Sequence, residues 1–265
     1  MARPVVAFLS DFGTRDHYAG TMKGVVLGVC PDATLVDIGH DIPAHDVLAG
    51  ALELAACYRF FPAGTIFLVV VDPGVGSSRR GIAADCGDYK FVAPDNGVLS
   101  AVFRDTPPRK VVELTERKYA RATVSRTFEG RDRFAPAAGW LAKGIALASL
   151  GRSITNYHRL ELPQAVVGQG EITGEIVRVD RFGNLISNID HRAFSQLAAS
   201  GAVAITVGDR DIPRIVTTYA EAAAGELCAL FGSTDHLEIA VNAGDAARTL
   251  GLGRGAIARV RLRLV

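Results

Sequence analysis

The sequence predicts an α/β N-terminal domain with a largely parallel sheet, followed by a smaller all-β C-terminal domain. Three observations carry this. Apolar, β-branched runs alternate with helical patterns through the first part of the chain, which is the signature of a sheet covered by helices. Beyond Leu160-Glu161-Leu162-Pro163-Gln164 the helical pattern fades, and short strands separated by Gly, Asp and Asn take over. The 265 residues, 49% of them hydrophobic, are enough for two domains with substantial cores. The expected boundaries are residues 1–163 and 164–265, the second part being about a hundred residues long.

Strand Val5–Leu9 opens the chain and precedes a helix over about Tyr18–Val29, closed by Cys30-Pro31-Asp32. Strand Thr34–Asp37 follows. Asp46 then caps a helix that runs to about Phe61 and ends at Pro62-Ala63-Gly64. Thr65–Val71 (TIFLVVV) reads as a buried strand. Gly81–Asp85 and Tyr89–Ala93 flank the turn Cys86-Gly87-Asp88 and form a hairpin. Asp95-Asn96-Gly97 opens a short helix, and strand Lys110–Leu114 with helix Phe134–Leu147 completes the unit. In the second part, Gly170–Asp180, Asn184–Ile189, Val203–Val207, Arg214–Thr218, His236–Val241 and Ala256–Leu264 read as strands.

The formal charge of +1 argues against broad electrostatic binding to nucleic acid or to an anionic membrane. The basic stretch Arg254–Arg263 alternates apolar and basic residues, as a half-exposed strand does. No signal-peptide pattern opens the sequence, and no apolar run approaches the ~20 residues of a membrane span. The four cysteines form no CxxC pair. They fit reduced thiols of a cytoplasmic protein better than zinc ligands or disulfides.

The richest motif is Val71-Asp72-Pro73-Gly74-Val75-Gly76-Ser77-Ser78-Arg79-Arg80. A carboxylate, a glycine-rich turn and two guanidiniums follow directly on a buried strand, where ligands of open α/β sheets bind. Val5–Leu9 runs in the same way into Ser10-Asp11-Phe12-Gly13-Thr14-Arg15-Asp16, so two strand exits point to one polar pocket. The turn lacks the third glycine of a dinucleotide fingerprint and there is no phosphate-binding GxxxxGK[ST]. His40-Asp41 and His45-Asp46 resemble metal-ligand pairs without evident third and fourth ligands, so no metal is expected. Thr127-Phe128-Glu129-Gly130-Arg131-Asp132 either caps a helix, with Asp132 against its dipole, or presents Glu129 to the pocket. In Asp180-Arg181-Phe182-Gly183-Asn184 an aromatic stands between amide and carboxylate groups, which suits a purine with a polar appendage.

These segments, with Ala93-Pro94-Asp95-Asn96-Gly97 and Ile239-Ala240-Val241-Asn242, span nearly the whole chain in order. Together they resemble the S-adenosyl-L-methionine (SAM) hydroxide adenosyltransferases, relatives of the 5′-fluoro- and chloro-adenosine synthases. The resemblance implies hydrolysis of SAM to adenosine and methionine by attack of water at C5′, with no cofactor. It also implies a homotrimer in which the substrate lies between the N-domain of one subunit and the C-domain of its neighbour. Asp72 and Arg79 match two members of the family's Asp-Arg-His set. Glu129 stands where the His usually is, which opens the alternative of a catalytically weak SAM- or adenosine-binding protein. A halogenase is the other alternative. Against it stand Asp72, where halogenases carry an aromatic residue, and the absence near Asp85–Tyr89 of the fluorinase insertion.

The resemblance places the substrate's ribose diol on Asp11 and its methionine end on Asp16 and Ser233. Asp180 becomes the acceptor for the ammonium and Asn184 the reader of adenine, with Phe182 and Tyr219 packed on the ring. Thr127, Phe128 and Ala243 are further substrate-binding positions.

Overall fold

A computed structural model describes residues 3–263. The chain divides into two compact units, Met1–Leu162 and Pro163–Val265.

In the first unit β1 (Val5–Ser10), α1 (Tyr18–Val29), β2 (Thr34–Gly39), α2 (Val47–Cys57) and β3 (Ile66–Val70) follow one another. They are followed by β4 (Gly81–Cys86), β5 (Tyr89–Pro94), α3 (Ser100–Asp105), β6 (Lys110–Glu113) and α4 (Ala135–Ala142). The six-stranded sheet has the order β2-β1-β3-β5-β4-β6. Alternation along β3 explains why it is the centre. Ile66, Leu68 and Val70 pack with Met22 and Val26 of α1 and with Ala135 and Ala138 of α4. Phe67, Val69 and Val71 pack on the opposite face with Leu54 of α2 and Val102 of α3. A strand covered on both faces has no polar side to show, hence its continuous apolar run. Each such side chain contributes about 1.5–3 kcal/mol by burial.

The sheet is largely parallel, as expected, with an antiparallel part at one side. β2, β1, β3 and β5 run parallel. β4 is antiparallel to both β5 and β6. The cause is the Cys86-Gly87-Asp88 turn, where Gly87 takes φ +57° and reverses the chain within the same sheet. Asp46 caps α2 by accepting from Ala49 N at 2.9 Å, as the sequence predicts. α2 stops at Cys57, short of Phe61, and continues as a 3₁₀ turn over Tyr58–Phe60. The helix expected over Phe134–Leu147 is only Ala135–Ala142, because Gly144 at φ +93° breaks it, and it is entered through a π turn over Gly130–Phe134.

The second unit holds β7 (Val166–Gly168), β8 (Glu171–Val179), β9 (Leu185–Asp190), α5 (His191–Ala198), β10 (Val203–Val207) and β11 (Arg210–Ile212). They are followed by β12 (Leu227–Phe231), β13 (His236–Val241), α6 (Ala246–Leu250) and β14 (Ile257–Leu262). An antiparallel sheet runs β11-β10-β14-β8-β9-β13-β12, with β7 beside β8. The unit is not all-β. Asp190 caps α5 through Ala193 N at 2.7 Å, and Asp245 caps α6 through Arg248 N at 2.8 Å. Phe194 of α5 and Ala246 of α6 enter the core. The strand expected over Arg214–Thr218 is reduced to a single bridge between Ile215 and Ala229. Pro213, which has no N–H to give a ladder, precedes it. The expected final strand runs to Leu264, which lies outside the described residues; β14 ends at Leu262.

All four cysteines are free thiols. Burial pushes Cys57 and Cys86 up to about 12, where neither forms a thiolate at neutral pH. Among the described residues no helix is long and apolar enough to cross a membrane.

Candidate active site

The carboxyl ends of β1 and β3 set the first part of the site. Ser10 pairs with Val70 in the parallel register, so Asp11 and Asp72 leave neighbouring strands at the same edge. Asn96 holds the β3 exit by donating from Nδ2 to Val71 O at 2.8 Å. The loop that follows turns back through Gly76 at φ +77°. A Cβ there would stand 2.2 Å from Arg126 O, so the turn tolerates only glycine and lies against the segment before Glu129.

Arg79 is the hub. Its Nε donates to Asp72 Oδ1 at 2.8 Å, and Nη2 donates to Asp72 Oδ2 in a second short bond. Its Nη1 stands 2.7 Å from Glu129 Oε2. The three side chains are only 9%, 5% and 11% exposed for Arg79, Asp72 and Glu129. The Phe134 ring lies 5.1 Å beneath the guanidinium. Burial pulls the proton affinity of Arg79 down. The hydrogen bonds and charge of Asp72, joined by Glu129, more than reverse that and hold it above its ordinary value. Arg79 is therefore a permanent cation between two acids.

The two acids differ in what remains free. Both oxygens of Asp72 are engaged by Arg79. Glu129 Oε2 is buried and close to Arg79, yet no donor is aligned on it as a hydrogen bond. Arg79 thus meets that oxygen as an ion pair, whereas the other oxygen of Glu129 has Arg133 Nη1 near it, at 3.9 Å.

The π turn supplies the geometry around Glu129. Arg131 donates twice to Asp132, at 2.7 Å each time, and Ser125 N donates to Asp132 at 2.8 Å. Burial raises the Asp132 acid, but these donors outweigh it and hold it below the usual carboxylate value. Asp132 lies in the first turn and ties it to Ser125 and Arg131, though no side chain caps the helix, and Glu129 stands against Arg79. Phe128 is buried beside it, and Thr127 is exposed.

The remaining residues of this unit fall nearby in the chain. Asp11 Oδ2 accepts from His45 N at 2.8 Å, and Asp16 is exposed. His40 is not aimed at a metal. It bridges Ser10 Oγ (2.7 Å from Nδ1) and Asp37 Oδ1 (3.0 Å from Nε2), and Lys23 donates to the other oxygen of Asp37 at 2.6 Å. Among the described residues no group of three or more His, Cys, Asp and Glu could hold a metal ion.

In the second unit, Asp180 organises its own turn. It accepts from Phe182 N at 2.9 Å, Asn184 N at 2.8 Å and Asn184 Nδ2 at 3.0 Å. This leaves Asn184 Oδ1 as its free amide atom and throws Phe182 outward, 74% exposed. Gly183 is required, because a Cβ would collide with Asp245 at 2.2 Å. Tyr219 exposes 39% of its surface while its hydroxyl donates to Glu238. Ser233 and Ala243 are exposed on turns, Ala243 at φ +55°.

Glu238 is the residue that sequence reasoning passed over. It is buried; burial, together with the nearby charge of Asp180, raises its acid although Tyr219 donates to it. The signal was a charged residue at an inward position of an apolar strand, in His236–Val241. Phe134 and the Ser10–His40–Asp37 chain were missed as well, since both depend on contacts distant in sequence.

Residues 6–151 match the SAM hydroxide adenosyltransferase N-terminal domain, and residues 174–259 match the C-terminal domain of the same family. The chain is 38% identical to an (R)-S-adenosyl-L-methionine hydrolase of Salinispora tropica, covering 97% of each chain. It is 37% identical to another protein of that name from Thermus thermophilus, over 96% of this chain and 97% of the relative. A crystal structure of an uncharacterized conserved protein from Thermotoga maritima superposes with a TM-score of 0.92 at 35% identity, covering 97% of this chain and all of that one. With both domain descriptions matched in order around the Asp72–Arg79–Glu129 trio, the chain belongs to the SAM hydroxide adenosyltransferase family.

Proposed function

We propose that this protein hydrolyses S-adenosyl-L-methionine to adenosine and L-methionine. The observation that supports the reading at this site is a buried guanidinium shared between Asp72 and Glu129 at the exit of β3.

The sulfonium is an activated leaving group, so no acid is needed at sulfur. The water oxygen forms a bond to C5′ as the C5′–S bond breaks. The pair of electrons from that bond goes to sulfur, leaving neutral methionine. The proton lost by the water goes to the Glu129 carboxylate. Asp72 and Arg79 fix where the water sits, and a positioned water with a base at hand needs little else. SAM is the substrate, and the reading needs no cofactor. Asp11 is assigned to the ribose diol, Asp16 and Ser233 to the methionine end, Asp180 to its ammonium, and Asn184, Phe182 and Tyr219 to adenine. Thr127, Phe128 and Ala243 are further substrate-binding positions. Asp180 in this reading first builds the turn that presents Asn184, consistent with its three internal bonds. Assembly as a trimer belongs to the same reading, and light scattering of the purified protein tests it.

The activity is tested by incubating the protein with SAM in ¹⁸O-labelled water. Adenosine carrying the label at its 5′ oxygen, with methionine in equal amount, is the expected result. Adenosine without label, or a halide-dependent product, refutes water attack at C5′. Bound SAM with no adenosine formed makes the protein a SAM-binding member of the family.

A further inference from the structure

Where β1 gives way to α1, aromatic rings gather around Phe128, the residue that precedes Glu129 in the chain. Phe12 and Tyr18 lie 5.6 Å apart, Tyr18 and Phe128 5.1 Å apart, and Phe12 and Phe128 5.9 Å apart. His17 adds a fourth ring 4.7 Å from Tyr18. The members are bracketed by site residues: Asp11 precedes Phe12, Asp16 precedes His17 and Tyr18, and Glu129 follows Phe128.

A core reading explains only part of this cluster. Phe128 is buried, and Arg131 already occupies a position 5.2 Å from its ring. Tyr18 is different. It is held by three rings, yet 40% of its surface is exposed, and no ion pair or cation contact engages it among the described residues. A large ring fixed in place by its neighbours and left open on one side is a preorganised surface. It costs little entropy to use, because the neighbours have already fixed its rotamer.

The chemistry of the proposed substrate gives this surface a task. A sulfonium bears a positive charge but no N–H or O–H, so carboxylates cannot hold it by hydrogen bonds. It is weakly hydrated and alkylated, like the quaternary ammonium ions that aromatic faces recognise. We infer that Tyr18, held by Phe12, His17 and Phe128, is the sulfonium-recognising residue of this protein and sets its preference for charged SAM over the neutral thioether. This inference rests on the hydrolase reading above. It extends that reading, because the contact vanishes as sulfur becomes neutral. The positive charge persists in the transition state, spread over sulfur and the attacking oxygen, so the ring favours substrate and transition state alike over the departing methionine. Its loss appears in KM and leaves kcat little changed.

The test compares SAM with S-adenosylhomocysteine, which differs by one methyl group and the sulfonium charge. Steady-state assays give KM and kcat for SAM, and the inhibition constant for the homocysteine analogue. Tyr18→Leu is expected to raise KM for SAM about three- to tenfold, the span of one cation–π contact. Its kcat and its inhibition constant for the analogue should stay within about twofold. Tyr18→Phe, which keeps the ring face, should retain the wild-type ratio of the two ligands. Equal weakening of both ligands by Tyr18→Leu, no weakening of either, or a fall in kcat at constant KM overturns the proposal. If wild type binds SAM without making adenosine, the hydrolase reading fails alone, and calorimetry with the same two ligands still decides for or against Tyr18. If wild type does not bind SAM, both readings fall.

Discussion

The two units treat their buried acids in opposite ways. In the first, Asp72 and Glu129 face a guanidinium that nothing else neutralises, and Asp132 faces two more arginines. In the second, Glu238 faces a phenol and lies in the field of Asp180, and its acid rises because burial dominates. The Tyr219 hydroxyl is likewise held above its ordinary range, by burial first and by Glu238 second. In one region a buried guanidinium faces the acids, and in the other burial favours the neutral acid.

Breaking the charged side of this contrast has the largest effect. Glu129→Gln keeps the shape but cannot accept a proton, and is expected to lower kcat by about 10³. Glu129→His is expected to keep activity within about tenfold of wild type and to move the pH profile into the range of an imidazole. Unchanged rates in both variants would remove Glu129 from the chemistry.

Asp72→Ala frees Arg79 from its fork and is expected to reduce kcat by about 10², with SAM binding retained within about tenfold. Calorimetry beside the rate assay checks this. Lost binding at an unchanged rate per bound SAM would contradict the assigned role.

Asp132→Asn tests a charge that supports the scaffold. Both arginine partners reach solvent, so the cost is about 2 kcal/mol, below that of a fully buried pair. The expected fall in Tm is about 4–8 °C. Asp132 has a lowered acid in the folded state, so its contribution is present above the unfolded value of 3.8 and is lost as pH falls through the folded value. The gap between wild type and variant should therefore close in acid.

Glu238→Gln gives the smallest effect and the opposite sign. A raised folded value means that stability is greatest below the unfolded value of 4.5 and declines as pH rises through the folded one. The amide carries no proton to lose, so the stability of the variant should fall less than that of wild type as pH rises above 4.5, by about 1 kcal/mol. Parallel pH profiles would place a charged Glu238 in the folded protein.

Much of this was legible before the structure because it is local. The buried strand ending at Asp72, the Cys86-Gly87-Asp88 turn, the Asp46 cap and the Asp180–Asn184 turn each declare themselves within ten residues. The pairing of β4 with β6 was not legible, because which strand a hairpin joins is decided by contacts distant in sequence. Helix α5 was missed because its eight residues lie between strands of an otherwise β pattern. Within the trio, Asp72 and Arg79 could be paired from a seven-residue loop. The approach of Glu129 depends on Gly76 resting against Arg126, fifty residues on, which no local pattern records.

The wide turn over Gly130–Phe134 sets the angular phase of everything before it. An α-helix advances about 100° per residue, and a π turn inserts one residue beyond that count. Removing any single residue from this turn would let the helix close into ordinary α register on α4. Glu129 would then swing about 100° around the axis, and the acid would leave the guanidinium although every residue of the trio was still present. In this part of the chain the number of residues is as much a constraint as their identity, and a one-residue deletion is a more severe change than most substitutions.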